Sequence, residues 1–181
     1  RDGMVNGEGA GVIVLEAREH AERRGATIRG VLAATAARCE PRARRDGLTG
    51  SSLRKAIRAV CEAAGLAPGD VGHVNAHGVS TVDMDRAEAQ AIAAELGDVP
   101  VTAPKSFFGH MGAGGGAVEL AASILGLERG LVPPTLNYHV PDPECPVNVV
   151  HGEPLAGRPA TAVKVNLCST GQAAAVAIRA E

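Results

Sequence analysis

Short apolar runs that are typical of buried strands alternate along this chain with segments whose apolar residues recur at helical spacing. The predicted strands are residues 11–15, 28–36, 71–75, 99–103, 162–167 and 173–178. Only the turn C-S-T-G-Q separates the last two predicted strands, so these strands are predicted to form a hairpin-like pair. Strands that alternate with helices favour an α/β layered sheet, and the final hairpin makes that sheet mixed.

Four segments are predicted to be helices. The most regular one has Ser51 or Ser52 as its N-cap, carries Leu53 and Ile57 among its spaced apolar residues, and ends at Gly65. One of the others is a polar surface helix over 16–25, and another is a small-residue helix over 116–126. The remaining helix begins near Asp83 or Asp85, and its spaced apolar residues end at Leu96. Residues 135–159 are rich in Pro, Asp and Asn and are predicted to be irregular.

The composition is that of a globular chain whose core depends on aliphatic packing. Hydrophobic residues make up 45% and charged residues 21%, with two Phe, one Tyr and no Trp. A formal net charge of −2 gives no electrostatic reason to expect nucleic acid or an anionic membrane as a partner. There is no run of about eighteen apolar residues, so no membrane span is predicted.

The four cysteines, Cys39, Cys61, Cys145 and Cys168, are far apart and include no C-x-x-C pair. Their spacing indicates neither a zinc knuckle nor a dense disulfide scaffold, and no metal site is predicted. Reduced thiols fit the cytoplasm, which is the expected location of the protein.

Two histidines each follow a predicted strand, His77 after 71–75 and His110 after 99–103. If those strands are neighbours, the two imidazoles can donate N–H bonds to one carbonyl oxygen and stabilise an enolate, an effect on the order of a few kcal/mol per donor. Lys105 and Glu119 can fix the tautomers and orientation of the rings. The alternative interpretation of 101–119 is an ordinary strand-to-helix turn with an incidental lysine and histidine.

A basic loop follows the second predicted strand and contains Arg38, Arg42, Arg44 and Arg45. Such a run is usually a solvated surface, and that interpretation is favoured. Four arginines can also bind an acidic carrier protein or a phosphate, which is the alternative.

Several motifs in the chain match one family in order and in spacing. They are N-A-H-G-V-S-T at 75–81, followed by Asp85 and Glu88; K-S-F-F-G-H at 105–110, with G-A-V-E ending at Glu119; R-D-G-M-V-N-G-E-G-A-G at 1–11; and P-P-T-L-N at 133–137. Across essentially all 181 residues, the chain resembles the C-terminal half of β-ketoacyl-acyl-carrier-protein synthases.

The resemblance implies a thiolase-type fold, in which two similar α/β halves form five layers. Residues 1–25 are then the end of the first half, with its last strand and a connecting helix. Residues 26–181 are the second half, a layered α/β/α unit with a mixed five-stranded sheet. The first half is expected to carry the nucleophilic cysteine, and none of the four cysteines here lies in that motif. Because the sequence begins at Arg1 and not Met, we expect a piece of something longer that requires another chain or segment to cover its first strand.

The reaction implied by the resemblance is the decarboxylative condensation of a malonyl thioester with an enzyme-bound acyl group, in fatty-acid or polyketide synthesis. His77 and His110 would bind the thioester carbonyl and stabilise the enolate. Lys105 and Glu119 would orient His110 and a local water, and Thr81 would contact the pantetheine arm. No separate cofactor is expected, since the substrates are carried on the phosphopantetheine of acyl carrier protein or on coenzyme A. The expected partners are acyl carrier protein, the first half in the same or another chain, and a second subunit in a homodimer or heterodimer.

Three departures from the family pattern bear on the substrate. Val79 replaces a threonine of the histidine motif, and Ala113 stands where the family has glycine. The Gly-Phe-rich loop near the C-terminus is replaced by N-L-C-S-T-G-Q-A-A at 166–174. Thr170 stands where the family has its gating Phe. The resemblance implies that the N–H of Thr170, together with Gly171, binds the substrate.

The loop at 166–174 leaves two alternatives to a complete synthase. One is a non-catalytic partner subunit akin to a chain-length factor, although such a subunit has no use for both histidines. The other is a ketosynthase-like decarboxylase or acyltransferase that keeps the fold but changes the reaction.

Overall fold

The structure is a computed structural model of the chain that describes residues 2–41, 47–158 and 160–181. Arg42, Arg44 and Arg45 of the basic loop lie outside the described residues. The exposed Arg38 guanidinium donates a hydrogen bond to the carbonyl of Ala37, at 2.8 Å. The choice between a solvated surface and a carrier-protein site therefore stays a prediction.

The strands form one large sheet and one small one. They are β1 (Val31–Cys39), β2 (His73–Asn75), β3 (Pro100–Thr102), β4 (Leu131–Val132), β5 (Asn148–Val149), β6 (Leu155–Ala156), β7 (Thr161–Leu167) and β8 (Gln172–Arg179). The large sheet has the order β1-β8-β7-β2-β3-β5, and β4 pairs with β6. The β1/β8 and β8/β7 pairs are antiparallel, and β7, β2, β3 and β5 are parallel to one another. The predicted mixed α/β sheet and terminal hairpin are confirmed, but the sheet has six strands where five were expected.

The helices are α1 (Arg18–Arg23), α2 (Ser51–Ala64), α3 (Val82–Leu96), α4 (Lys105–Phe108) and α5 (Gly115–Glu128). The predicted α1, α2, α3 and α5 are present, and α4 was not predicted. A single turn carries no apolar repeat by which the sequence could reveal it.

The large sheet lies between two helical layers. The side chains of β7 alternate between the two layers. Val163 and Val165 belong to the main core, together with Leu53 and Ile57 of α2 and residues of α3. The preceding residue, Ala162, packs instead with residues of α5 in a second cluster. Because successive side chains in a strand point to opposite faces, Lys164 and Asn166 also face α5. The α/β/α layering is thus confirmed.

The segment 11–15 is not a strand in this structure, contrary to the prediction. Val12, Val14 and Leu15 are 92%, 81% and 70% exposed. A strand requires neighbours to pair its backbone groups, and no described segment pairs with this one. The assignment of residues 1–25 to the end of a first half stays a prediction.

The N-terminus of α2 is capped by a carboxylate that lies outside the helix, and not by Ser51 or Ser52 as predicted. Glu40, which follows β1, accepts hydrogen bonds from Ser52 N at 3.0 Å, Ser51 Oγ at 2.8 Å and Thr49 N at 2.9 Å. The N-cap residue itself is Gly50, with φ of 74°. Burial raises the pKa of the Glu40 carboxyl, but these hydrogen bonds outweigh it and lower the pKa to about 2.

Replacing Glu40 by Gln is expected to lower the free energy of unfolding at pH 7 by about 1–3 kcal/mol, because charge-assisted bonds to buried donors are lost. The carboxylate has a lowered pKa, so its stabilisation is full above about pH 4.5 and is lost as the pH falls toward 2. The difference between the two proteins should therefore shrink in acid. Urea unfolding at pH 7 and pH 3 measures it, with Glu153→Gln on the surface as control. An equal difference at both pH values would contradict the capping role.

Candidate active site

Two sets of hydrogen bonds hold the loop after β2, which carries His77, in place. Asn75, at the end of β2, donates from Nδ2 to the carbonyl of Glu119 at 2.7 Å and to Ser123 Oγ at 2.8 Å, which ties the strand to α5. The carboxylate of Glu88 in α3 accepts from the N–H groups of His77 at 2.5 Å and Gly78 at 2.8 Å. Burial raises the pKa of Glu88 in spite of these two bonds. The backbone at His77 is thereby fixed between α3 and α5.

Glycine is required at position 78. Its φ is +46°, and an added Cβ would lie 2.8 Å from the Cβ of Ala103. The close approach of this loop to the end of β3 brings the two predicted histidine segments together.

His110 is held by the N-terminal segment of the chain. Its N–H donates to the carbonyl of Val5 at 2.8 Å, and its carbonyl accepts from the N–H of Gly7 at 3.0 Å. The rings of His77 and His110 meet edge to face, with centroids 5.7 Å apart and planes at 89°. Nδ1 of His110 is buried without a hydrogen-bond partner among the described residues. The pairing of the two histidines, which the sequence suggested, is therefore a feature of the folded chain.

Lys105 and Glu119 lie behind His77. The Lys105 ammonium is 3.2 Å from Nδ1 of His77 and 2.5 Å from Oε1 of Glu119. The resemblance implied that this pair orients His110, whereas in the structure the lysine contacts His77. Lys105 is the first residue of α4, and the His110 backbone is hydrogen-bonded to the N-terminal segment.

A third charged side chain, Lys164 of β7, completes the cluster and was not among the predicted site residues. Its ammonium lies 2.6 Å from Oε2 of Glu119. Lys105, Glu119 and Lys164 are only 7%, 0% and 3% exposed. The sequence does carry a signal, because a lysine interrupts the apolar run of β7, and a buried charge needs a partner.

Asn166 is the second residue that sequence reasoning did not assign to the site. Its Oδ1 is 3.2 Å from His77 Nδ1 and 3.1 Å from the Lys164 ammonium. Residues 164 and 166 share one face of β7, so the strand presents both toward α5. Asn166 thereby links the imidazole to the lysine cluster.

His77 is neutral in this environment. Burial lowers the pKa of its imidazole most, and the positive charges of Lys105 and Lys164 lower it further, to about 3. Asn166 Oδ1 can accept only from a protonated Nδ1, whereas the Lys105 ammonium can donate only to a bare Nδ1, which leaves the ring proton on Nε2. A neutral ring held in this tautomer is a hydrogen-bond donor for an oxygen that gains negative charge.

The predicted substrate-binding residues lie on two other loops. Thr81 is the N-cap residue of α3, and its hydroxyl is buried with no hydrogen-bond partner among the described residues. Thr170 is exposed in the β7–β8 turn and donates from its hydroxyl to Cys168 Sγ at 3.1 Å. The N–H of Gly171 donates to the carbonyl of Cys168 at 2.9 Å, so this turn uses that amide internally.

A half-open groove of about 1230 Å³ reaches Lys105 and His110. It runs between the N-terminal segment, the loop 78–80 and the irregular segment that precedes β5. Val79, which replaces a family threonine, is part of its apolar lining. Within the described residues, no group of three or more His, Cys, Asp or Glu side chains is arranged to hold a metal ion. The helices of the described part are all too short or too polar to cross a membrane.

Comparison with known proteins identifies the relatives of this arrangement. The profile described as "Beta-ketoacyl synthase, C-terminal domain" matches residues 26–139. The chain is 41% identical over 165 residues to "Putative polyketide beta-ketoacyl synthase 1" of Streptomyces cyaneus, covering 88% of this chain. It is 37% identical over 158 residues to "3-oxoacyl-[acyl-carrier-protein] synthase 2" of Synechocystis sp., covering 84% of this chain. The matched region is 38% of the length of each of these relatives.

Two solved structures show the same fold. One is described as "The ishigamide ketosynthase/chain length factor"; it has a TM-score of 0.92 and 29% identity, over 98% of this chain and 44% of the other. The second is a complex described as a type II PKS acyl-carrier protein with its ketosynthase, AntDE:AntF. It has a TM-score of 0.82 and 32% identity, over 92% of this chain and 42% of the other.

The contact between His110 and the N-terminal segment can be tested at Gly7. A Cβ at this position would lie 1.9 Å from the carbonyl oxygen of Phe108, so Gly7→Ala is expected to displace the segment. Hydrogen exchange should then accelerate at the His110 and Gly7 amides, which are hydrogen-bonded in this structure. Gly69→Ala is the matched control, because an added Cβ there meets nothing within 4 Å. Unchanged protection in Gly7→Ala would contradict the packing.

Proposed function

This chain belongs to the beta-ketoacyl synthase family, in which it corresponds to the C-terminal domain, and we propose that His77 and His110 bind a malonyl thioester and stabilise the enolate left by loss of CO₂. The observation that supports this most strongly is the pairing of the two imidazoles, with a lysine–carboxylate pair behind one of them. The remaining machinery of a condensing enzyme, above all its cysteine nucleophile, would lie in a first half of the thiolase-type fold.

The proposed chemistry starts when the thioester carbonyl oxygen accepts hydrogen bonds from the two rings. The bond between the α-carbon and the carboxylate carbon then breaks, and CO₂ leaves. The electron pair of that bond forms the enolate. Negative charge grows on the oxygen that the imidazoles contact, so their N–H groups are worth most in the transition state. The enolate carbon next attacks the acyl thioester on the cysteine, and the cysteine thiolate leaves. His77 suits the donor role because it is neutral and fixed at Nδ1.

We further propose that acyl carrier protein delivers the substrate on its phosphopantetheine arm, or that coenzyme A does so. The name of one relative includes acyl carrier protein, and one similar solved structure is a complex with that protein. Thr81 would contact the pantetheine arm, as the resemblance implies, and its hydroxyl has no hydrogen-bond partner among the described residues. The names of the relatives include both polyketide and 3-oxoacyl synthases, so the product class is fatty acid or polyketide.

The exposed apolar residues Val12, Val14 and Leu15 support a contact with the first half, in the same chain or another. We propose that the complete protein works as a homodimer or heterodimer of such two-half subunits. A reducing cytoplasm suits the four free cysteines.

A non-catalytic subunit akin to a chain-length factor is not favoured. The similar solved structure that is described with a chain length factor is described with a ketosynthase as well. The relatives from Streptomyces cyaneus and Synechocystis sp. are both named as synthases. The retention of both histidines also argues against it. A decarboxylase or acyltransferase with the same fold is distinguished by its products.

His77→Ala and His110→Ala, each in a protein that contains both halves, are expected to lower the rate of malonyl-thioester decarboxylation about 100- to 1000-fold. Release of labelled CO₂ measures decarboxylation, and the acyl product measures condensation. His20→Ala, on the surface helix α1, is the matched control. Undiminished decarboxylation in either active-site variant would reject the proposed function. Release of CO₂ without a condensed product in the unmodified protein would identify a decarboxylase.

A further inference from the structure

The proposed reaction assigns no role to Lys164, although its burial is costly. Its side chain is 3% exposed in the middle of β7, between Val163 and Val165 of the apolar core. Removing an ammonium group from water is strongly unfavourable unless acceptors surround it. A charge in such a position therefore requires an explanation in its contacts.

Four oxygens surround the three hydrogens of the Lys164 ammonium. It forms an ion pair with Glu119 Oε2 at 2.6 Å, and it donates hydrogen bonds to Asn166 Oδ1 at 3.1 Å and to the carbonyl of Val165 at 2.5 Å. The carbonyl of Ala76, next to His77, lies at 3.4 Å. An ammonium group can donate but cannot accept, so these contacts dictate which atoms face it.

The contact with Asn166 fixes the orientation of that amide. Its oxygen must face Lys164, and the same oxygen is 3.2 Å from Nδ1 of His77. If Lys164 were apolar, the amide could rotate and present its NH₂ group to the imidazole. Lys164 therefore determines which atom of Asn166 the histidine meets, and this oxygen can accept a hydrogen bond only when the ring proton is on Nδ1.

The contact with Glu119 has a parallel effect on Lys105. One carboxylate oxygen binds each lysine, Oε1 binding Lys105 and Oε2 binding Lys164. With Oε2 occupied, the carboxylate is held so that Oε1 keeps Lys105 beside His77. Both groups that contact Nδ1 of His77 thus depend on Lys164.

We propose that Lys164 is a second positioning lysine of the active site, which acts on His77 through Glu119 and Lys105 without touching the substrate. This inference rests on the proposed function. The two ammonium groups and the carboxylate of Glu119 together carry one net positive charge beside His77, which favours the enolate over the uncharged thioester carbonyl.

The proposal implies a pH dependence. The charged or titratable groups around Lys164 are Glu119 on α5, Lys105 on α4, Glu88 on α3 and His77 after β2. Burial lowers the pKa of Lys164 to about 8, although Glu119 opposes the shift. Above that pH the lysine is a neutral amine, the net charge of the cluster falls to zero, and one of its three hydrogens is lost. The rate of decarboxylation should accordingly fall above about pH 8.

Lys164→Met, which keeps an unbranched side chain of similar size but removes the charge, tests this in a protein with both halves. We expect decarboxylation at pH 7 to fall about tenfold or more, and the loss of rate near pH 8 to be absent from the variant. Lys55→Met is the matched control, since Lys55 is exposed on α2. A variant with an unchanged rate and an unchanged pH profile would overturn the proposal.

A second measurement does not depend on activity. The ring ¹⁵N signals of His77, assigned by their loss in His77→Gln, report its tautomer and should shift between pH 7 and 9 in the unmodified protein but not in Lys164→Met. If the shift occurs and no decarboxylation is found in the unmodified protein, the proposed function fails while the positioning role stands. No shift in the unmodified protein overturns the positioning role, even if Lys164→Met does not fold.

Discussion

A single buried carboxylate, that of Glu119, allows two lysines to lie inside this protein. Glu119 is fully buried in α5, and its two oxygens contact ammonium groups from α4 and β7. Without it, Lys105 and Lys164 would be two like charges close together in a medium of low dielectric constant, which is strongly unfavourable. The main-chain carbonyl of Glu119 also links α5 to the sheet, because it accepts a hydrogen bond from Asn75 Nδ2 at the end of β2. The site and the layer packing therefore share one set of contacts.

The neutrality of His77 follows from the same cluster. Burial alone disfavours an imidazolium, and two adjacent ammonium groups disfavour it further. The protein thus excludes a positive charge from the histidine while keeping positive charge directly behind it. Such an arrangement favours an incoming oxygen that becomes negative, but it does not protonate that oxygen. Stabilisation of an enolate benefits from this combination, because an enolate that captured a proton on oxygen would become a much weaker carbon nucleophile.

Sequence reasoning found the elements that show a periodic apolar pattern or contain a motif. The helix α2 shows its apolar spacing at Leu53 and Ile57, the β7–β8 hairpin shows two β-rich runs, and His77 and His110 lie in matched motifs. It could not find β5 or α4, which are too short for any period to appear. Glu40 and Lys164 were missed for a different reason: their roles depend on partners far away in the chain that only the fold brings near. The segment 11–15 was predicted as a strand from its apolar residues, but a strand also requires a neighbour.

The departures from the family pattern are not spread evenly over the chain. Val79 and Thr170 lie in loops, and Ala113 lies in the short turn before α5. His77, Lys105 and Glu119, in contrast, keep the residue types of the family and are fixed by contacts with α3, α5 and β7. The β7–β8 turn is itself well tied down, since the carbonyl of Gly171 accepts from Glu40, whose carboxylate caps α2. The turn has a small hydroxyl residue in place of a large ring, while the groups that handle charge are intact. Under the proposed function, this distribution favours a changed acyl substrate over a changed reaction.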